Sequence, residues 1–235
     1  MCLKQPERPL HLFLTKKNQH LNYKILTTTK ERLHLLTDLH LVTIKETLCR
    51  VMNMKNSKNL ENWLKKSTKP KQYLFLYADF RAFFPDISTA AFKTLLSRFV
   101  KSGLLERICK GIYAYKEHIP SDGFLLFHVA ALMRSYQFNY ISLETVLSES
   151  GIISQIPINR ITIMSSGRSH ILSCRKYGTI EFIHTHRKPK QLIESLHYDP
   201  LCKMWKASIK LAIEDMKNTH RDLNLIDWGV VNELI

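Results

Sequence analysis

Apolar positions fall at helical spacing most clearly near residue 95, where Phe92, Leu95, Leu96, Phe99 and Val100 share one face. Ser88 stands where an N-cap belongs, and Gly103 stands where a helix ends in a left-handed residue. The pattern therefore predicts a helix from Thr89 to Ser102. Its opposite face carries Lys93, Thr94, Ser97, Arg98 and Lys101, so the side turned from the core is basic and rich in donors. Two short β-prone runs follow, Leu104 to Ile108 and Ile112 to Tyr115, joined across Cys109, Lys110 and Gly111 as a hairpin. Upstream, Tyr77 to Phe84 reads as a short helix stopped by Pro85 and Asp86. Helix, turn, helix and basic hairpin in one unbroken segment make a winged helix-turn-helix.

The flanking pattern is less regular. Leu60, Trp63 and Leu64 give a short helix from Ser57, which runs into a basic linker, Lys65 to Lys71. Asp122 can cap an apolar helix from Gly123 to Tyr136 that is hydrophobic nearly all round and hence buried. Ser142 can cap a second helix, Leu143 to Ser150, which Gly151 ends. Arg160 to Met164, Ser169 to Cys174 and Thr179 to His184 are three β-like runs with turn signals between them, which predict a small antiparallel sheet. Gln191 to His197 reads as a short helix. Lys203 to His220 reads as a long amphipathic one, with Trp205, Ile209, Ala212, Ile213 and Met216 on its apolar face. Leu223, Leu225, Ile226 and Trp228 in the tail require something to cover them.

The expected class is α+β. An N-terminal winged helix-turn-helix (54–117) precedes a mixed α/β domain (122–235) with a short antiparallel sheet and a C-terminal amphipathic helix. Residues 1–53 form an extension without glycine, while all seven glycines lie at or after Gly103. The polar run after Met54 reads as an ordinary beginning, so the natural start is expected at Met52 or Met54.

Charge narrows the function. Of 235 residues 45% are apolar, enough for buried cores, and 35 Lys and Arg against 20 Asp and Glu give a net charge of +15. Such an excess fits an anionic partner, nucleic acid above all. The longest apolar stretch, Phe124 to Met133, is interrupted by His128 and falls short of the ~20 residues a bilayer needs. Five scattered cysteines without a CxxC pair suit a reducing cytoplasm and no structural zinc. The chain has no GxSxG, phosphate-binding loop or GxGxxG, so neither an enzyme nor a cofactor is expected.

The candidate contacts follow from side-chain chemistry. Thr89, Lys93, Thr94, Ser97, Arg98 and Lys101 share the face by which a recognition helix enters a major groove, with Arg98 able to read a guanine edge and the lysines placed for phosphates. Arg107 and Lys110 add charge on the hairpin. Arg168, Arg175, Arg187 and Lys188 make the second domain basic too, either as a second nucleic-acid contact or as charge guarding a sheet edge. His184 and His186 face one side of a strand, but no third ligand is signalled and Arg187 and Lys188 repel a cation, so no metal is expected. Glu144 and Glu181 raise an alternative, a nuclease with paired acidic ligands, although a further carboxylate is missing. An RNA-binding regulator is the other alternative.

The segment SRFVKSGLLERICKGIYAY, followed by NYISLETVLSESGIISQIP, RITIMSSGRS and YGTIEFIHTHR, resembles the AbiEi family of antitoxins and transcriptional regulators from bacterial type IV toxin-antitoxin, or abortive infection, systems. The resemblance runs over roughly 56–235. It implies a cytoplasmic DNA-binding autorepressor acting at promoter inverted repeats, and a nucleotidyltransferase-like toxin neutralised without a stable complex. It also implies that the second domain is required for antitoxin action.

Overall fold

A computed structural model describes residues 57–67, 72–154 and 159–235. The extension 1–53, its expected start, and residues 68–71 of the basic linker lie outside the described residues.

Helix α1 (Ser57–Ser67) and strand β1 (Leu74–Leu76) lead into α2 (Tyr77–Phe83) and α3 (Thr89–Lys101), then strands β2 (Leu105–Cys109) and β3 (Ile112–Tyr115). Ser88 caps α3 as its position implied, its hydroxyl accepting the Ala91 N–H at 3.3 Å. Phe92, Leu96 and Phe99 bury the apolar face. The three strands pair antiparallel in the order β1-β3-β2. Strand β1 was not in the expected pattern: it has three residues, and its partners, Ile112 to Ala114, lie far along the chain.

This small sheet is buried on both sides. Tyr113 and Tyr115 of β3 pack with Leu60, Leu64, Phe80, Phe92 and Phe99. Ile112 and Ala114, alternating with them, join Ile108 and Cys109 in the core formed by the rest of the chain. The period of two along one strand thus serves two cores at once.

That rest comprises α4 (Leu125–Met133), β4 (Asn139–Ile141), α5 (Glu144–Glu149), β5 (Arg160–Ser165), β6 (His170–Ser173) and β7 (Thr179–His184). It continues through α6 (Pro189–Leu192), β8 (Leu196–Asp199), β9 (Met204–Ala207), α7 (Ile209–Asn218) and α8 (Trp228–Leu234). Its sheet is six-stranded, in the order β6-β7-β5-β4-β9-β8.

The fold is mixed α+β, and four expectations are corrected. The sheet is not a small antiparallel one, because β5 pairs with β7 and β4 with β9 in parallel. After β6 the chain reverses at Gly178 and inserts β7 between β6 and β5, which turns the outer pair antiparallel and the inner pair parallel. The expected helix from Lys203 to His220 begins only at Ile209, with Ser208 accepting the Leu211 N–H. Residues Met204–Ala207 are strand instead, paired to both β4 and β8. Gln191 to His197 likewise divides, since Leu196 opens β8. Ser142 does not cap α5: its hydroxyl donates to Asp215 Oδ2 at 2.7 Å within the core. Of the tail residues that required cover only Ile226 is buried, beside Val231 and a bond from Asp227 N–H to Ile152 O of 2.9 Å, while Leu225 and Trp228 stay exposed. No helix among the described residues is long and apolar enough to cross a membrane.

Candidate nucleic-acid interface

Helix α2 and the turn that follows it are held by groups at either end of the helix. The Leu76 N–H donates to Asp79 at 2.8 Å at the start of α2. Arg81 donates to Pro85 O at 3.1 Å, and its guanidinium lies 5.5 Å from the centre of the Phe92 ring. Tyr77 meets the same fully buried ring edge-on at 5.0 Å, and Phe84 lies 6.0 Å from it. Phe92 is therefore the pivot on which both helices and the turn are set. Arg81 was not among the candidates, because its role depends on a carbonyl and a ring that only folding brings to it.

With the apolar face held down, Thr89, Lys93, Thr94, Ser97, Arg98 and Lys101 are all exposed together on α3. Among the described residues none of Lys93, Arg98 and Lys101 makes an ion pair. Thr94 turns its hydroxyl back to Ala90 O at 3.1 Å, which leaves the neighbouring cations as the outward donors. The two hairpin cations differ. Lys110 is exposed at the tight turn, and the Gly111 carbonyl beside it accepts the Tyr77 N–H at 2.8 Å, which fastens the turn to the start of α2. Arg107 is half-buried opposite Tyr113, and its Nε is enclosed without a hydrogen-bond partner among the described residues. Its charge thus acts on the interior at least as much as on solvent.

The second basic set is not brought together. Arg175 lies in a turn at the start of β7, beside Lys176, whose ammonium bonds Glu106 of β2 at 2.9 Å. Arg168 and Lys188 belong to the other end of the strand, roughly 16 Å away at ~3.3 Å per residue. Arg187 is committed internally, to Glu214 at 2.7 Å and to Asp215 at 3.4 Å. Burial pushes the Asp215 carboxyl above its ordinary range against the pull of Ser142 and Arg187. What gathers around Arg168 instead is His184, whose Nδ1 donates to Gly167 O at 2.9 Å, and His186, 3.3 Å from His184 Nε2. That carbonyl fixes the His184 tautomer, so Nε2 accepts from His186. Among the described residues no group of three or more His, Cys, Asp or Glu is arranged to hold a metal ion.

Glu144 and Glu181 do approach a common centre, but the centre is Arg221. Its guanidinium lies 3.4 Å from Glu144 and 2.6 Å from Glu181, and Arg160 also bonds Glu181. Burial disfavours the charged Glu181, yet hydrogen bonds from Arg160 and Arg221 together hold its carboxyl below the usual range. Two arginines occupy both oxygens of Glu181, which a metal ligand would need to leave open, while Glu144 turns one oxygen to Arg221 and its buried Oε2 has no hydrogen-bond partner among the described residues. Both arginines escaped the sequence reading, having no local relation to either carboxylate.

Residues 71–116 match the family model described as transcriptional regulator, AbiEi antitoxin. The match spans β1, α2, α3 and the β2–β3 hairpin, and stops short of the downstream segments that also carry the resemblance. No curated protein matches the chain.

Proposed function

Starting from the AbiEi antitoxin and transcriptional-regulator family to which residues 71–116 match, we propose that this protein is a DNA-binding autorepressor and antitoxin of a type IV toxin-antitoxin system. The observation that carries the reading is the coincidence of the family match with a segment that presents a basic helix face whose cations make no ion pair among the described residues. In this reading residues 54–117 are a winged helix-turn-helix, α3 lies in the major groove, and Arg98 reads a base edge between phosphate contacts from Lys93 and Lys101. Lys110 touches the backbone alongside. Residues 122–235 carry the antitoxin action against a nucleotidyltransferase-like toxin, without a lasting complex, in the cytoplasm of a bacterium defending itself against phage.

Two cellular readouts test this. A reporter driven by the promoter of the protein's own operon should be repressed by the full chain and released when Lys93, Arg98 and Lys101 are replaced by Ala. The same triple variant should still rescue cells from the neighbouring toxin. Unchanged repression by the variant contradicts the placement on α3, and rescue lost together with repression contradicts the division of labour. Competition by RNA as effective as competition by duplex DNA would transfer the basic face to an RNA regulator.

A further inference from the structure

The six-stranded sheet ends at β6 on one side and at β8 on the other. An outermost strand pairs along one flank only and leaves the N–H and C=O groups of its other flank open to a further strand. The two edges differ. In β8, Leu196 is buried and Tyr198 packs edge-on against Trp205 at 5.6 Å, so that strand presents no large exposed apolar side chain. In β6, Leu172 is buried but Ile171 is 60% exposed. Ile171 lies opposite Glu181 of β7, and with Ile183, Thr219 and Arg221 it lines an open cleft. Glu181 is the one carboxylate of that cleft among the described residues, and Arg160 and Arg221 hold both its oxygens. Cations bracket the strand instead. Arg168 precedes it and Arg175 follows it, both exposed and neither in an ion pair among the described residues.

We propose that β6 is a docking edge for an extended acidic segment of another protein, which adds a seventh strand, sets an apolar side chain beside Ile171 and brings carboxylates to Arg168 and Arg175. Main-chain pairing supplies the affinity, and the alternate side chains supply the selectivity. An open strand flank needs donors and acceptors in turn, which a peptide backbone provides and a phosphodiester chain, with acceptors alone, does not. Charge also excludes the nearer occupants. A second copy paired antiparallel over the four residues of β6 would set Arg168 opposite Arg175 at both ends, and like charges across a strand pair repel. Residues 1–53 of the chain carry nine Lys and Arg against four Asp and Glu, so they offer the wrong sign as well.

The test uses the full-length protein and a synthetic strand, acetyl-EEVTVTVEE-amide, labelled with fluorescein. Its valines share one face, and its glutamates lie three and four residues from the central valine, as Arg168 and Arg175 do from Ile171. The peptide should bind saturably, and amide exchange followed residue by residue should slow at the β6 N–H groups that β7 leaves open. Ile171→Glu changes an exposed side chain and should abolish binding. The peptide with Lys for every Glu should bind the Arg168→Glu, Arg175→Glu double variant and not the parent. Replacing Lys93, Arg98 and Lys101 by Ala should leave peptide binding unchanged, so the result stands independently of any DNA contact by α3.

Absence of saturable binding overturns the proposal, as does binding that Ile171→Glu leaves intact. Three further outcomes overturn it by giving the edge to another occupant. Those β6 amides already slow in the unliganded monomer would assign it to the chain's own residues. A dimer in sedimentation that Ile171→Glu dissociates would assign it to a second copy. Displacement of the peptide by scrambled duplex DNA from the Lys93, Arg98 and Lys101 variant would assign it to nucleic acid.

Discussion

Arg98 and Lys110 carry the same charge on adjoining elements and should fail in different ways. The planar fork of Arg98 can pair bidentately with a guanine, which an ammonium cannot copy. Arg98→Ala is expected to cost roughly 1–3 kcal/mol on the operator and much less on scrambled duplex. Lys110→Ala should weaken both duplexes alike, as loss of a phosphate contact does. Anisotropy titrations of the two variants on both duplexes check this, and an equal loss on both with Arg98→Ala would reduce α3 to a phosphate clamp. Glu181 makes a different prediction at the same scale. Its folded-state carboxyl titrates below the ordinary value of 4.5, so its contribution to stability is complete above pH 4.5 and lost as pH falls through the lower folded value. Glu181→Gln should thus be less stable than the parent at neutral pH, and the gap should shrink in acid. Urea unfolding at pH 7 and below pH 4.5 measures it; a gap that widens in acid contradicts the ion pairing with Arg160 and Arg221.

Elements with local signals were legible in the sequence, and elements defined by distant partners were not. Helix α3 announced itself through Ser88, its period and Gly103, and the hairpin through Gly111, because each of these acts within a few residues. Strands β4, β8 and β9 did not, since three or four residues carry no period of their own; β4 exists because Tyr140 meets Trp205 and Met164. Trp205 misled for the same reason: its spacing to Ile209 is helical, but the backbone between them changes from strand to helix at Ser208. The exposed α3 cations could be read for this reason as well, whereas the Arg81 clamp and the Arg221 bridge could not. Two glycines separate local from tertiary demand. Both have positive φ, +82° at Gly111 and +122° at Gly178, but a Cβ at Gly111 meets open space while one at Gly178 would lie 1.9 Å from Asn159 O. Gly111→Ala should cost about 1–2 kcal/mol, the strain of a left-handed residue. Gly178→Ala should cost distinctly more, by displacing the turn that inserts β7. Thermal melts of the two variants rank them, and equal losses would mean that the Asn159 contact yields freely.

At the scale of the whole molecule, the three-stranded sheet is shared property. Ile108 and Ile112 face the core of the second half, and covering an isoleucine is worth about 1.5–3 kcal/mol. Tyr73 reinforces the contact, its hydroxyl donating to His128 Nδ1 at 2.8 Å while His128 Nε2–H donates to Leu201 O at 2.7 Å. A chain ended at residue 117 keeps every α3 cation but uncovers that face, so it should melt well below the full-length protein; equal melting temperatures would make the shared sheet irrelevant to stability. The reading as a whole rests on α3 and the hairpin turn meeting a polyanion, with Lys93, Lys101 and Lys110 on phosphates. The most direct measurement is the affinity of the full chain for a duplex of its operon promoter over a range of salt concentrations, beside a scrambled duplex. Log affinity should fall linearly with log salt, with a slope of about −2.7 or steeper for three neutralised phosphates, and the promoter should bind more tightly than the scrambled sequence throughout. A flat salt dependence, or identical affinity for the two duplexes at every salt concentration, would contradict the account.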